Sequence, residues 1–361
     1  MLIEPRDPLI ARDGRPFSAH PGAQAKSLPF PLPQTLAGAY RRRRAEALGL
    51  SFPEAAEAVK AWPIRGPLLA EEDGGRFRLL GPRPLDAVRL GERLLRLLPW
   101  EAEGGTNLPQ GLLPLAPEDL EARGKPGPLL PFWYWEALEA WLLGQAPQPL
   151  LEHPGPAREV RFHVGLDPTH GVAREGFLFR TEGLEFAHKD CKEEGRPRTL
   201  ALVLWVEEEV EGVFPLGGER RLAFWRKGGP GVPKPPEGLL EALLRHRAAR
   251  ALLLTPALFA EGWRPRGGEI RGARVVAAAV GRPLWVSGWD LQAGRPKPTR
   301  RAVPAGSVYF LRLPKEWGEA EIRGWLEAVW FQNASDEEQD RRDGFGLLAI
   351  GVWDGGVLSW R

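Results

Sequence analysis

"LIEPRDPLIARDGRPFSAHPGAQAKSLPFPLPQTLAGAYRRRR", residues 2–44, holds seven prolines, two Arg-Asp pairs and four closing arginines. Residues 2–10 read as a strand, followed by a proline-stiffened loop to position 33. Thr35 then stands as the N-cap of a helix over 36–48. A strand, a rigid polar loop and a basic helix open an α+β unit, and the rest of the chain repeats that theme.

A second helix is expected over 51–61. Residues 62–130 are rich in Pro and Gly and read as an irregular insertion, with one candidate strand at 77–80. A tryptophan-rich helix follows over 131–143, closed by Gly144. Strand patterns occupy 160–166, 176–186, 199–206 and 222–225. A helix is expected over 236–250, then strands at 251–254, 274–280, 284–289 and 308–313. The helix over 319–330 carries Ile322, Trp325, Leu326, Val329 and Trp330 on one stripe. A polar stretch, 333–343, leads to a last strand over 344–353. This order predicts an α+β protein of two ferredoxin-like (RRM-like) domains, with open antiparallel sheets, helices on one face and long inserted loops. The expected domains are 1–230, which includes the insertion, and 231–361.

Composition sets bounds. The chain of 361 residues is 43% hydrophobic and 27% charged, an ordinary globular balance at a length that suits two domains. No apolar run is long enough to span a membrane, and the N-terminus lacks a signal-peptide layout. Cys191 is the single cysteine, so no internal disulfide can form, and a cytoplasmic location is expected. Arginine outnumbers lysine 40 to 9, with two Asn and one Met, a usage that fits a thermophile with a GC-rich genome. Net charge is only +2, so what matters is where the arginines cluster.

Motifs of nucleotide-binding loops, zinc proteases, redox thiols and serine hydrolases are absent. No two of the six histidines stand at helical metal-ligand spacing. His188 and Cys191 form one such pair without a second, and Asp167 with His170 reads as a Pro/Gly turn. No metal or cofactor is expected.

Three basic stretches remain. In the first helix Arg41, Arg42 and Arg44 fan around the polar side, whereas Arg43 falls within the apolar face beside Leu36, Ala39, Tyr40 and Ala47. An arginine there must snorkel, pair with a carboxylate or meet an anion. Arg41 and Arg43 are candidate anion contacts beside the helix N-terminus. "FPLGGERRLAFW" sets Gly217 and Gly218 before Arg220 and Arg221, either to admit a ligand or to make a hairpin turn. "WVSGWDLQAGRPKPTRRAVPAGSVYFL" places Arg295, Lys297, Arg300 and Arg301 in a loop edged by Trp289, a pattern suited to single-stranded RNA.

These residues also carry a resemblance. "PRDPLIARDGRPF" resembles the N-terminal signature of the third subunits of type III-B CRISPR Cmr effector complexes, in the repeat-associated mysterious protein (RAMP) superfamily. "SLPFPLPQTLAGAYR", "LGGERR", "SGWDLQAGRPKPTRRAVPAGSVYF" and "GFGLLAIGVW" are similar to the same family and occur in its order. The resemblance implies a non-catalytic RNA-binding subunit in antiviral defence that holds the 5′ repeat-derived tag of the CRISPR RNA. It implies docking to the large polymerase-like subunit and to the first backbone RAMP subunit. It also implies a β-hairpin thumb, placed at 162–186.

Carried onto this sequence, the first motif contributes Arg6, Arg12, Asp13 and Arg15, and the loop-to-helix step Lys26, Ser27, Thr35 and Gly38. The fourth contributes Trp289, Lys297, Arg300 and Arg301. The basic groups are expected on phosphates or tag bases. Asp7 and Asp13 are expected to cap turns or hold those arginines. Gly344 and Gly346 would form the superfamily's glycine-rich element.

Two alternatives stay open. The same superfamily contains metal-independent endoribonucleases that process CRISPR RNA; here His20 would be the general base with Lys26 beside it. A protein-only scaffold would instead use the arginines and tryptophans at interfaces.

Overall fold

The computed structural model describes residues 1–12, 24–25, 27–51, 55–73, 75–102, 104–188, 198–290 and 294–359. They form two compact units, each assembled from several chain segments. The first comprises Met1–Phe77, Pro156–Pro230 and Trp285–Arg300; the second comprises Arg78–Gly155, Gly231–Leu284 and Arg301–Arg361. The chain crosses between the units after Phe77, Gly155, Pro230, Leu284 and Arg300. Most of the insertion, from residue 78 onward, packs in the second unit, and the loop 285–300 packs in the first.

The first unit is built on β1 (Leu2–Pro5), α1 (Pro33–Ala47), β2 (Arg65–Asp73), a hairpin of β3 (Ala157–Leu166) and β4 (Ala173–Glu185), β5 (Arg198–Trp205), β6 (Gly212–Pro215) and β7 (Leu222–Arg226). Its sheet runs β2-β5-β1-β7-β6 with every pairing antiparallel. Setting aside the edge strand β6, the core strands stand in the order fourth, first, third, second. That is the ferredoxin-like order, with α1 as the first crossover and the β6 hairpin in place of the second helix. From Leu200 to Leu204 the third strand is fully buried, as its unbroken apolar run demands.

The second unit repeats the plan with the opposite omission. Its sheet contains β8 (Ala248–Leu253), β9 (Ala273–Ala279), β10 (Val308–Arg312) and β11 (Leu348–Val352), ordered β9-β10-β8-β11 and antiparallel throughout. Again the order is fourth, first, third, second. Here the second crossover, Glu319–Val329, is helical, and buries Ile322, Trp325, Leu326 and Val329. The first crossover is an irregular segment whose only helical piece among the described residues is the short turn Arg266–Gly268.

Arg250, in the middle of fully buried β8, is tolerated because its donors are matched. It meets Asp86 at 2.5 Å, the Trp141 carbonyl at 2.6 Å and the Val352 carbonyl at 2.8 Å. Trp141 Nε1 donates to the other Asp86 oxygen at 2.9 Å. This node fastens the 78–155 segment to the sheet of the second unit.

Several sequence expectations are corrected. The first helix starts at Pro33, with Leu32 rather than Thr35 as N-cap; proline suits the first helical position, where its missing N–H costs nothing. The expected helix over 51–61 shrinks to Ala56–Val59. Residues 62–130 are strand-rich rather than irregular: Arg65–Asp73, Arg76–Pro82, Ala87–Leu90 and Arg93–Pro99 all pair. The helix expected from 131 begins only at Trp135, because Phe132–Tyr134 pairs as a strand with Leu80, Gly81 and Pro82. Left-handed backbone at Gly238 and Arg247 confines the next helix to Leu239–His246. The polar stretch 333–343 holds a one-turn helix, Glu338–Arg342.

Candidate nucleic-acid interface

Four stretches singled out in the sequence meet one another in the first unit. The Ile10 carbonyl accepts the Gly218 N–H at 2.8 Å, and a Cβ on Gly217 would lie 2.6 Å from that carbonyl oxygen. With φ of 74° as well, Gly217 can only be glycine. Arg6 N donates to the Leu222 carbonyl at 2.9 Å, and the Leu222 N–H returns to Asp7 Oδ2 at 3.2 Å. Asp7 therefore joins the first motif to the Gly217–Arg221 turn rather than capping its own turn.

The first motif also grips the second. Ser27 is buried; its Oγ accepts the Ala11 N–H at 2.9 Å and donates to the Ala11 carbonyl at 3.3 Å. Ser27 is thus a clasp with no surface left for RNA. The second motif in turn meets the fourth: Gln34 Nε2 donates to the Ser287 carbonyl at 2.5 Å. The fourth is closed by Lys297 N to the Gly288 carbonyl at 2.8 Å and by Ser287 Oγ to the Lys297 carbonyl at 3.0 Å.

This framework leaves Arg6, Arg12, Arg220, Lys297 and Arg300 exposed on one unit. Arg220 stands at the end of a strained turn: Glu219 and Arg220 both adopt left-handed backbone, with φ of 57° and 52°. Such backbone persists only where its surroundings impose it, here the docking of Gly217 and Gly218 on Ile10. Arg221 is half-buried and pairs with Glu219 at 2.9 Å. Thr35 is half-buried in the first turn of α1 and Gly38 is exposed one turn on.

The basic helix is largely occupied by intrachain contacts. Arg41 is buried, with Nε donating to the Trp62 carbonyl at 3.0 Å, so it presents no surface to a phosphate. Arg43 resolves its misplaced charge by stacking 3.5 Å over the Phe214 ring and pairing with Glu46 at 2.5 Å. Arg44 lies 4.3 Å over Trp62. Hydrogen bonds from Arg42 and Arg43 hold the Glu46 carboxyl below the usual carboxylate range.

Arg301, Gly344 and Gly346 belong to the second unit. Gly344 and Gly346 have φ of 94° and 86°, and a Cβ on Gly346 would press to 2.7 Å from the Ser335 nitrogen, so this glycine-rich element shapes a turn. Asp13, Arg15, His20, Lys26 and Cys191, and the side chains of Trp289 and His188, lie outside the described residues. Asp167 accepts the Thr169 and His170 amides at 2.8 and 2.9 Å, the turn expected there. Among the described residues no cluster of His, Cys, Asp and Glu could hold a metal ion, and no helix is long and apolar enough to cross a membrane.

The hairpin β3–β4 rises from this framework. Its root is tied to the first motif by reciprocal Leu9–Leu184 backbone bonds of 2.8 Å. A shallow depression at the root is lined by Pro8, Ile10, Glu159, Arg161, Thr181, Gly183 and Arg221. Along the arm one face shows Val160, Phe162, Val164 and Leu166, with Phe162 at 70% exposure. Sequence reasoning placed the hairpin but passed over Arg161, Gln34, Ser287 and this apolar face. The alternation of Val160 through Leu166 was the available signal for the face.

Two ferredoxin-like units, one of which gathers basic turns at the root of a hairpin, define an α+β architecture. Over residues 1–353 the sequence matches the family described as CRISPR-associated protein (Cas_Cmr3), and the chain belongs to that family. It is accordingly a component of a CRISPR effector complex of the Cmr kind. No curated protein matches it. A chain of the cryo-EM structure of the Type III-B Cmr-beta bound to cognate target RNA and AMPPnP is similar in fold, with TM-score 0.50 and 17% identity over 86% of this chain and 85% of that one. The same assembly bound to cognate target RNA gives 0.49 at 17% identity, with coverage of 86% and 85%. A chain of the Csm3-Csm4 subcomplex of the type III-A interference complex gives 0.38 at 12%, covering 86% of this chain and 92% of that one.

Proposed function

We propose that this chain is the third subunit of a type III-B effector complex and holds the repeat-derived 5′ tag of the CRISPR RNA without cutting it. In this reading it docks to the large polymerase-like subunit and the first backbone RAMP subunit, and it works in the cytoplasm of a thermophile. The observation that carries the RNA-holding role is the meeting of the four motif stretches in one unit. Hydrogen bonds from Gly218 to Ile10, Ser27 to Ala11 and Gln34 to Ser287 gather Arg6, Arg12, Arg220 and Lys297 on a rigid base. Fixed cations bind phosphate with little ordering cost, because the turns carrying them are already held. The hairpin serves as the thumb, its apolar arm wedging beside the strand. The structural relatives named above include chains from assemblies bound to RNA, which fits the same role.

Binding of a tag-bearing single-stranded RNA to the full chain, followed across a salt series, tests this. Log affinity should fall linearly with log salt, by about 0.7 for each phosphate neutralised. Salt-independent binding, or none at low salt, overturns the reading. Incubation with repeat RNA in EDTA should leave the RNA intact; a cleaved product would establish the endoribonuclease alternative instead.

A further inference from the structure

An eleven-residue stretch occurs twice in this chain. Residues 211–221 read EGVFPLGGERR and residues 261–271 read EGWRPRGGEIR, sharing Glu, Gly, Pro, Gly, Gly, Glu and Arg at the same seven positions. Their backbones agree as well: Gly212, Gly217, Gly262 and Gly267 all have positive φ. Each stretch ends the crossover that lacks a helix and leads into an outer strand of its own unit, β7 in the first and β9 in the second. The two units carry one turn twice.

The copies differ in what holds the final arginine. Arg221 is half-buried and pairs with Glu219. Arg271 is exposed, and no carboxylate among the described residues pairs with its side chain. Glu269 instead stands opposite Arg274 in the hairpin that Arg271 and Gly272 close. Both tip residues have positive φ, 48° and 85°. Such a two-residue turn favours Asn-Gly, so an arginine there costs stability for no gain to the turn itself.

The surroundings of Arg271 are cationic and aromatic. Partial desolvation and the charge of Arg341 both lower its guanidinium from the usual arginine range. Arg341 is fixed at the base of the repeat. It donates to the Ser335 and Asp336 carbonyls at 2.7 and 2.6 Å, while the Asp336 carboxylate accepts the Arg266 amide at 3.2 Å. The Trp317 ring lies against Gly272, 3.1 Å from where a Cβ would stand. Two guanidiniums brought together without a carboxylate call for an anion, and an indole beside them suits a base or ribose. An acidic peptide would answer the charge alone.

We propose that the 261–271 repeat is a second phosphate-binding turn, in which Arg271 and Arg341 hold a backbone phosphate of single-stranded RNA beside Trp317. This goes beyond the reading above, which puts RNA on the first unit, and rests on it only for the class of ligand.

The test titrates the full chain with a labelled single-stranded RNA that lacks the tag, over a salt series. Arg271→Asn and Arg271→Gly remove the charge and leave residues the turn favours. Arg93→Gln removes an exposed arginine elsewhere in the same unit. Both Arg271 variants should melt no lower than the parent and bind RNA about three- to tenfold more weakly. Their log–log salt slope should flatten by about 0.7, the share of one phosphate. Arg93→Gln should bind as the parent does. RNA binding unchanged in both Arg271 variants overturns the proposal, and the first-unit reading survives if Arg220→Gly still weakens binding. If the parent binds no RNA, both fall. Uridine monophosphate, titrated in parallel, should not bind measurably; binding of it that is lost in Arg271→Asn, with RNA binding unchanged, would assign the turn to a free nucleotide instead. Failure of the Arg271 variants to assemble with neighbouring subunits, again with RNA binding unchanged, would assign it to an acidic protein surface and equally overturn the proposal.

Discussion

Gln34 and Ser287 stand 253 residues apart in sequence, yet the Gln34 side-chain amide donates to the Ser287 carbonyl at 2.5 Å. Through this bond the loop 285–300 lies against the first turn of α1, although the chain on either side of it belongs to the other unit. The bond is the most economical evidence that the two ends of the sequence build one surface.

Removing it should loosen the loop without unfolding the unit. Gln34→Ala is expected to cost about 1 kcal/mol, the usual net worth of one hydrogen bond. Hydrogen exchange should rise at the Lys297 amide, whose partner is the Gly288 carbonyl. Unchanged protection there would show that the loop is held by other contacts.

The Gly217–Arg221 turn offers a trade between stability and binding. Glu219 and Arg220 adopt left-handed backbone that glycine accepts without penalty. Glu219→Gly should therefore stabilise the chain by about 0.5–1 kcal/mol. Arg220→Gly should relieve the same strain and weaken RNA binding together. Denaturant melts paired with RNA titrations read both effects. Loss of stability in both variants would contradict the strain argument.

The buried Asp86–Arg250 pair makes a claim about folding alone. The two side chains are 0% and 2% exposed. Asp86→Ala leaves a buried guanidinium without its counter-charge and should destabilise the second unit by about 3–5 kcal/mol. A double replacement by apolar residues of similar volume should recover much of that loss. Chemical denaturation of the three variants decides it, and a single-variant cost below about 1 kcal/mol would show the node to be incidental.

Glu46 sets a pH dependence. Its folded-state carboxyl is lowered by Arg42 and Arg43, so its contribution is complete above the ordinary carboxylate pKa. That contribution fades as pH falls through the lowered value. The pair is exposed, so the effect should be small and should diminish in high salt. NMR titration of the Glu46 carboxyl reads the shift directly; an ordinary or raised value would contradict the pairing.

Much of the secondary structure was legible in the sequence because apolar periodicity is a local property. The fully buried run 200–204 and the stripe of Ile322, Trp325, Leu326 and Val329 both fall where their patterns put them. The insertion was not legible, since frequent Pro and Gly at strand ends hide the strands between them, and Phe132–Tyr134 is a strand because 80–82 and 152–153 lie on either side of it. The discontinuous units were out of reach for the same reason: 285–300 joins the first unit through distant partners. At the site, the basic stretches were visible, but their availability was not. Arg41 and Arg43 look alike in sequence to Arg220, and only the positions of Trp62, Phe214 and Glu46 show that the helix arginines are already engaged.

In the proposed function, basic turns distant in sequence form one RNA-holding surface on the first unit. Photocrosslinking of 4-thiouridine-bearing tag RNA to the full chain, with the linked peptides mapped by mass spectrometry, addresses it directly. Crosslinks are expected to peptides containing Arg6–Arg12, Gly217–Arg221 and Lys297–Arg300 within the same preparation. Crosslinks confined to the second unit, or to one of these peptides alone, would contradict it.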